Sequence, residues 1–211
     1  MDTEGRRRLA ETSVADGSAR LVIEPAAEQI PRLATLMSKG CFVRVQTGGS
    51  LRDLICDQFK ITPEYLKNDI KVLFLNFSPV DDVDSARVHD GAVLALSAAL
   101  PGLVGAAMRK DGLSWMRSSI TYREGTGAVE QGDGVIFLKL FNLVMADLGE
   151  MFLRRGVYIE PASLADFLTT RFDDEFWRKC KKISRNGEPI TDGALLAYLS
   201  SQGGYVNLSI R

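Results

Sequence analysis

Apolar positions along this chain fall into short runs of two kinds. Leu21-Val22-Ile23, stopped by Pro25, Phe42 to Gln46 and Lys71 to Phe77 have the density and alternation of strands. Val157-Tyr158-Ile159 and Tyr205 to Ile210 repeat the pattern, Val88 offers a weak strand, and Ala92 to Ser97 predicts a fully buried one. Elsewhere the spacing is helical: Ile30, Leu33, Leu36 and Met37 make one stripe, with Pro31 confined to its first turn. Further stripes are Leu51, Leu54, Ile55 and Phe59, then Phe141, Val144, Leu148 and Phe152, then Leu164, Phe167 and Leu168, with a last helix over Ala194 to Leu199.

Capping signals place several helix starts. Ser50 with Asp53, and Ser163 with Asp166, read as capping boxes, in which hydroxyl and carboxylate satisfy free N–H groups of a first turn. Thr62-Pro63 supplies a cap and a proline at the first helical position. Gly156 is the expected stop of the helix before it. From Asp173 to Arg185 the acids Asp173, Asp174 and Glu175 precede the bases Arg178, Lys179, Lys181, Lys182 and Arg185, the order that a helix dipole favours. Ser114 to Tyr122 and Val135 to Leu140 are expected to pair as a long-looped hairpin across the glycine-rich interval Gly125 to Gly134.

Gly91 to Met108 is uncharged, and its length raises the question of a membrane span. Pro101-Gly102 inside it, and the charges that close it at Asp90 and Arg109-Lys110, argue for a strand, a turn and a small-residue helix instead. No internal repeat or heptad is evident. The mixture predicts an α+β chain: a mobile tail over 1–19, an N-terminal unit over 20–111, and a second α/β unit over 112–211. At 211 residues, 45% apolar and 25% charged, the chain has ordinary globular composition. Its net charge of −1 gives no general pull toward nucleic acid or acidic lipid.

Candidate chemistry is sparse. Cys41, Cys56 and Cys180 have no metal-like spacing, and with no signal peptide they point to a reducing, cytoplasmic setting. His89 is the only histidine, so triad designs and a His/Cys zinc site lack parts. No catalytic residue, metal ligand or cofactor is expected. The segment from Pro101 to Ala107 brings Gly102 and Gly105 into a helix after a buried strand, where backbone N–H groups approach an anion closely. Arg109 follows it, and Arg117 and Arg123 border the glycine-rich loop. These five are the candidate ligand-binding residues. The acids Asp81, Asp82, Asp84 and Asp90 lack the order of a calcium loop and read as a solvated turn.

From Cys41 to Leu100 the order is strand, Gly48-Gly49 turn, capped helix, strand, polar turn, strand. Gly49 to Leu54 opens the helix, Leu75-Asn76 ends a strand, Pro79 to Asp82 turns, and Val88-His89-Asp90-Gly91 leads into the apolar strand. This stretch resembles the β-grasp, ubiquitin-like fold, and within it the sulfur-carrier proteins of molybdopterin and thiamine synthesis. The resemblance implies a β-grasp-like N-terminal unit, with Leu21 to Ile23 as the source of a missing opening strand. Carrier chemistry implies a terminal Gly-Gly, whereas Gly203-Gly204 is followed by seven residues and Ala92 stands where a second acid is usual.

The resulting expectation is a non-enzymatic binding or assembly module, joined to a protein partner or to itself through the apolar segment after Ala92. No nucleic acid or membrane partner is expected. The alternatives are a role near sulfur-carrier steps of cofactor synthesis, and a small-molecule enzyme with its site between the two units.

Overall fold

The computed structural model describes residues 17–100, 102–110, 120–123 and 130–211. Most of the expected tail, Arg117, and most of the expected hairpin strand Ser114 to Tyr122 lie outside the described residues. In chain order the strands are β1 (Arg20–Glu24), β2 (Cys41–Thr47), β3 (Val72–Leu75), β4 (Ser78–Pro79) and β5 (Val93–Ser97). They continue with β6 (Gly132–Phe141), β7 (Val157–Ile159), β8 (Lys182–Arg185), β9 (Glu188–Pro189) and β10 (Val206–Ile210). Helices stand between them, and parallel and antiparallel pairings are mixed, so the chain is α+β.

The chain divides into two compact units, Met1–Phe42 with Leu148–Arg211, and Val43–Asp147. The expected units 20–111 and 112–211 follow sequence order, whereas these follow strand pairing. Leu21 to Ile23 pairs with β8 and β10, from the far end of the chain, and does not supply an opening strand to Val43–Asp147. Strand β6 stands beside β5 instead.

In Val43–Asp147 the strand order is β4-β3-β5-β6-β2, with β3 and β5 antiparallel and β5 and β6 parallel. Leu73, Leu75, Leu94, Leu96, Leu138 and Leu140 alternate onto one face and are fully buried. Leu51, Leu54, Ile55 and Phe59 are buried as the helical stripe requires. Their helix opens on the expected capping box: Ser50 N–H donates to Asp53 Oδ2 at 2.9 Å, and Asp53 N–H donates to Ser50 Oγ at 3.1 Å. Thr62 caps the helix Pro63–Asn68 by accepting from Tyr65 N–H. The uncharged stretch resolves into β5 and the helix Gly102–Met108. Among the described residues no helix is long and apolar enough to cross a membrane. Strand β5 is paired on both edges, and its Val93, Leu94 and Leu96 are buried.

In the other unit Phe42 pairs with Tyr158 of β7, and the strand order is β7-β10-β1-β8-β9. The core face carries Leu21, Ile23, Ile183, Leu208 and Ile210, with Phe167, Phe176, Leu195 and Leu199 from helices also buried. Two local expectations change here. The helix Pro161–Arg171 begins two residues before Ser163, because Pro161 has the fixed φ suited to a first position. Ser163 then donates to Glu160 and Asp166 pairs with Lys39 at 2.7 Å, so no capping box forms. The helix that Asp173 caps ends at Lys179, and Lys182 to Arg185 is strand, since Ile183 pairs with Ile23 on the core face.

Although no repeat shows in the sequence, the same arrangement occurs in both units. Hairpin β3-β4 turns at Asn76-Phe77 and hairpin β8-β9 at Asn186-Gly187, every one of these four residues with positive φ, the signature of a type I′ turn. Pro79 faces Phe74 as Pro189 faces Ser184. Val80 N–H donates to Leu73 O as Ile190 N–H donates to Ile183 O. Asn76 N–H donates to Val93 O while its Oδ1 accepts from Val93 N–H; Asn186 does both toward Arg20. In each unit the strand so clamped runs parallel to a further one, Leu94 beside Leu138 and Leu21 beside Leu208.

Candidate functional site

Among the described residues, those singled out from the sequence line no common cleft. Gly102 opens its helix with φ +74°. Gly105 is buried against the carbonyl and Cβ of Leu100, where no Cβ would fit, so its smallness serves packing. Arg109 and Arg123 are both exposed. The acids are engaged one by one: Asp81 accepts from Thr121 Oγ1, Asp90 from Val135 N–H at 2.7 Å, and Asp84 pairs with Arg52. Asp82 accepts from the N–H groups of Asp84 and Ser85, bonds that hold its carboxyl below the usual range, as the Arg52 hydrogen bond does for Asp84. Among the described residues no His, Cys, Asp and Glu converge as a metal site would require.

The thiols are unsuited to nucleophilic work. Burial pushes Cys41 up to about 12 and Cys180 up to about 11, although Cys180 stands between two lysines. Desolvation also raises Cys56.

Two clefts stand out. One in Val43–Asp147, of about 500 Å³, is lined by Arg52, Glu64, Lys67, Asp81 and Lys110. Two of its charges have internal partners: Arg52 donates to Asp84, and Lys110 Nζ to Leu66 O. The other, of about 480 Å³, lies on β1 and β8 of the second unit and includes Arg20, Glu24, Lys182, Ser184 and Arg211. None of Gly102, Gly105, Arg109 and Arg123 lines either cleft.

Compared with known proteins, the chain matches no family model, no curated protein and no solved structure.

What distinguishes the two units is the sheet face turned from the leucine and isoleucine core. Register fixes its members. In Val43–Asp147, Phe74 pairs with Ala95 and Ala95 with Lys139, while Val93 pairs with Phe137 and Ser97 with Phe141. Phe74, Phe137 and Phe141 are half-buried, and Phe77 at the turn is 67% exposed. Lys139 reaches over the Phe137 ring at 5.7 Å. In the other unit Arg20, Val22 and Glu24 share the face with Lys182 and Ser184, and Ser209 and Arg211 extend it. Sequence reasoning missed both faces, because a face assembled from three strands has no local motif. One signal was present: Asn186-Gly187 between Ile183 and Ile190 marks a hairpin, which puts Lys182 on a strand.

Proposed function

We propose that this chain is a non-enzymatic binding or assembly module with one β-grasp-like unit, and that it self-associates through the aromatic face of Val43–Asp147. The observation that carries this reading is Phe77. A bulky residue at φ +68° is strained, by about 1–2 kcal/mol, at a turn where the other unit has glycine. Its ring is 67% exposed, so burial in the unit does not compensate the strain. Strain kept at an exposed aromatic marks a contact residue. Phe74, Phe137 and Phe141 extend the contact, and aromatic side chains dominate the centres of protein interfaces. Lys139 is the one charge among these strand residues, so two copies meet without strong repulsion, as an isologous dimer requires. The β-grasp reading draws support from a capped helix that precedes a mixed sheet with a parallel central pair.

Sedimentation velocity over rising protein concentration tests the reading. The wild type is expected to pass from monomer to dimer, and Phe77→Gly to remain monomeric with an equal or higher melting temperature. A wild type that stays monomeric throughout sinks it.

A further inference from the structure

We propose that the face formed by β10, β1 and β8 binds a phosphate monoester of a hydroxyl-bearing small molecule, such as a sugar phosphate. The inference starts from Ser184. The described buried polar side chains are Thr47, Ser50, Ser97 and Ser184. Thr47 donates to the carbonyls of Glu130 and Gly132, Ser50 accepts from Asp53 N–H, and Ser97 donates to Ala99 O. Ser184, a residue 6% exposed, has no such partner for its hydroxyl among the described residues, and it lines the 480 Å³ cleft. Buried hydroxyls are rarely left without a hydrogen bond, and a ligand in the cleft would provide one.

The charges around Ser184 say what kind of ligand. Arg20, Lys182 and Arg211 line the same cleft, and among the described residues none of their side chains has a hydrogen bond or ion pair. Lys182 lies opposite Glu24 in the register without closing an ion pair to it. Counting side chains alone, three cations and one carboxylate sum to +2 around the cleft. That matches a phosphate monoester, which carries about −1.5 to −2 near neutral pH. Guanidinium forks suit phosphate oxygens, and a serine hydroxyl donates to one of them. Glu24 cannot serve the phosphate, but a carboxylate accepts from the hydroxyl groups of a sugar. The volume is that of a small-ligand site rather than of a single ion.

At the corresponding positions of the other unit stand Phe74 for Ser184, Val72 for Lys182, Val93 for Arg20 and Phe141 for Arg211. The polar set is therefore a property of one unit and not a requirement of the strand arrangement.

Isothermal titration calorimetry with ribose 5-phosphate, inorganic phosphate and ribose tests the proposal on the full chain. Ribose 5-phosphate is expected to bind, inorganic phosphate to bind more weakly, and ribose alone to give no heat. Ser184→Ala and Lys182→Ala should each weaken ribose 5-phosphate by about tenfold or more. Without ligand, Ser184→Ala should melt at the same temperature as the wild type or higher, since it removes a hydroxyl that lacks a partner. Absence of binding overturns the proposal, as does binding that both variants retain. A lower melting temperature for unliganded Ser184→Ala would show an internal partner and overturn it too. So would markedly tighter binding of a single-stranded oligonucleotide than of ribose 5-phosphate, which would point to a polymer backbone.

Discussion

The turns at Asn76-Phe77 and Asn186-Gly187 hold the same register, bond the same backbone positions and precede the same proline, yet one ends on an aromatic ring and the other on glycine. The sheet faces behind them diverge likewise, phenylalanines in Val43–Asp147 against Arg20, Lys182, Ser184 and Arg211 in the other unit. The faces turned to the core diverge less: both are leucine and isoleucine, except that Arg185 stands where the other unit has Leu75. The core face must exclude water in either unit, so its composition is set by burial. The opposite face mixes buried positions (Val72, Val93 and Ser97 in one unit, Val22 and Ser184 in the other) with more open ones, and its composition differs between the units.

Core truncation should give the largest effects and the clearest asymmetry. Leu73 is 1% exposed and Ile183, at the same hairpin position, 9%. Leu73→Ala should cost about 3–5 kcal/mol and Ile183→Ala about 2–3 kcal/mol in urea unfolding followed by circular dichroism. Equal losses would mean that the two positions are not packed differently.

The turn asparagines come next. Asn→Gly keeps the left-handed conformation and removes the Oδ1 acceptor, leaving one strand N–H without its partner. Asn76→Gly should cost about 1–2 kcal/mol, because the Val93 N–H is part-buried. Asn186→Gly should cost under about 1 kcal/mol, because water can reach the Arg20 N–H. Asn→Asp, which preserves the acceptor, should lose less than Asn→Gly at both positions.

Exchange of the second turn residues tests the strain directly. Phe77→Gly should stabilise by about 0.5–1 kcal/mol, and Gly187→Phe should destabilise by about 1–2 kcal/mol. A Phe77→Gly variant that melts earlier would show that the ring contributes packing, and would remove the basis for treating it as a contact residue.

The smallest effect is on acid stability. Hydrogen bonds from Ser50 hold the Asp53 carboxyl below the usual range, and the Phe176 N–H does the same for Asp173. A carboxyl lowered in the folded state adds stability above its unfolded pKa of about 3.9, and that addition is lost as pH falls through the folded value. Melting temperature should therefore decline as pH falls below about 4. Asp173→Asn, which still accepts at the cap but no longer titrates, should make the decline shallower. An unchanged slope would show that the cap carboxylate does not contribute.

Local chemistry was legible along the chain wherever the deciding atoms are neighbours in sequence. The Ser50–Asp53 box, the Thr62 cap and the Gly156 stop formed as their residues require, because each closes hydrogen bonds within a few positions. The Ser163–Asp166 box did not form, since Pro161 moved the helix start and Lys39 took the carboxylate.

By itself the sequence determined most of the alternation of helix and strand and the dissection of Gly91 to Met108 into strand and helix, but it put Phe141 in a helical stripe, whereas Phe141 ends strand β6. Tertiary structure alone decided that Leu21 to Ile23 belongs with Lys182 to Arg185 and Val206 to Ile210, and that β6 stands beside β5. Strand pairing is set by hydrogen bonds between segments far apart in the chain, and no local preference encodes which segments will meet. The two faces on which the functional proposals rest belong to that second kind of information, each built from three strands brought together only by folding.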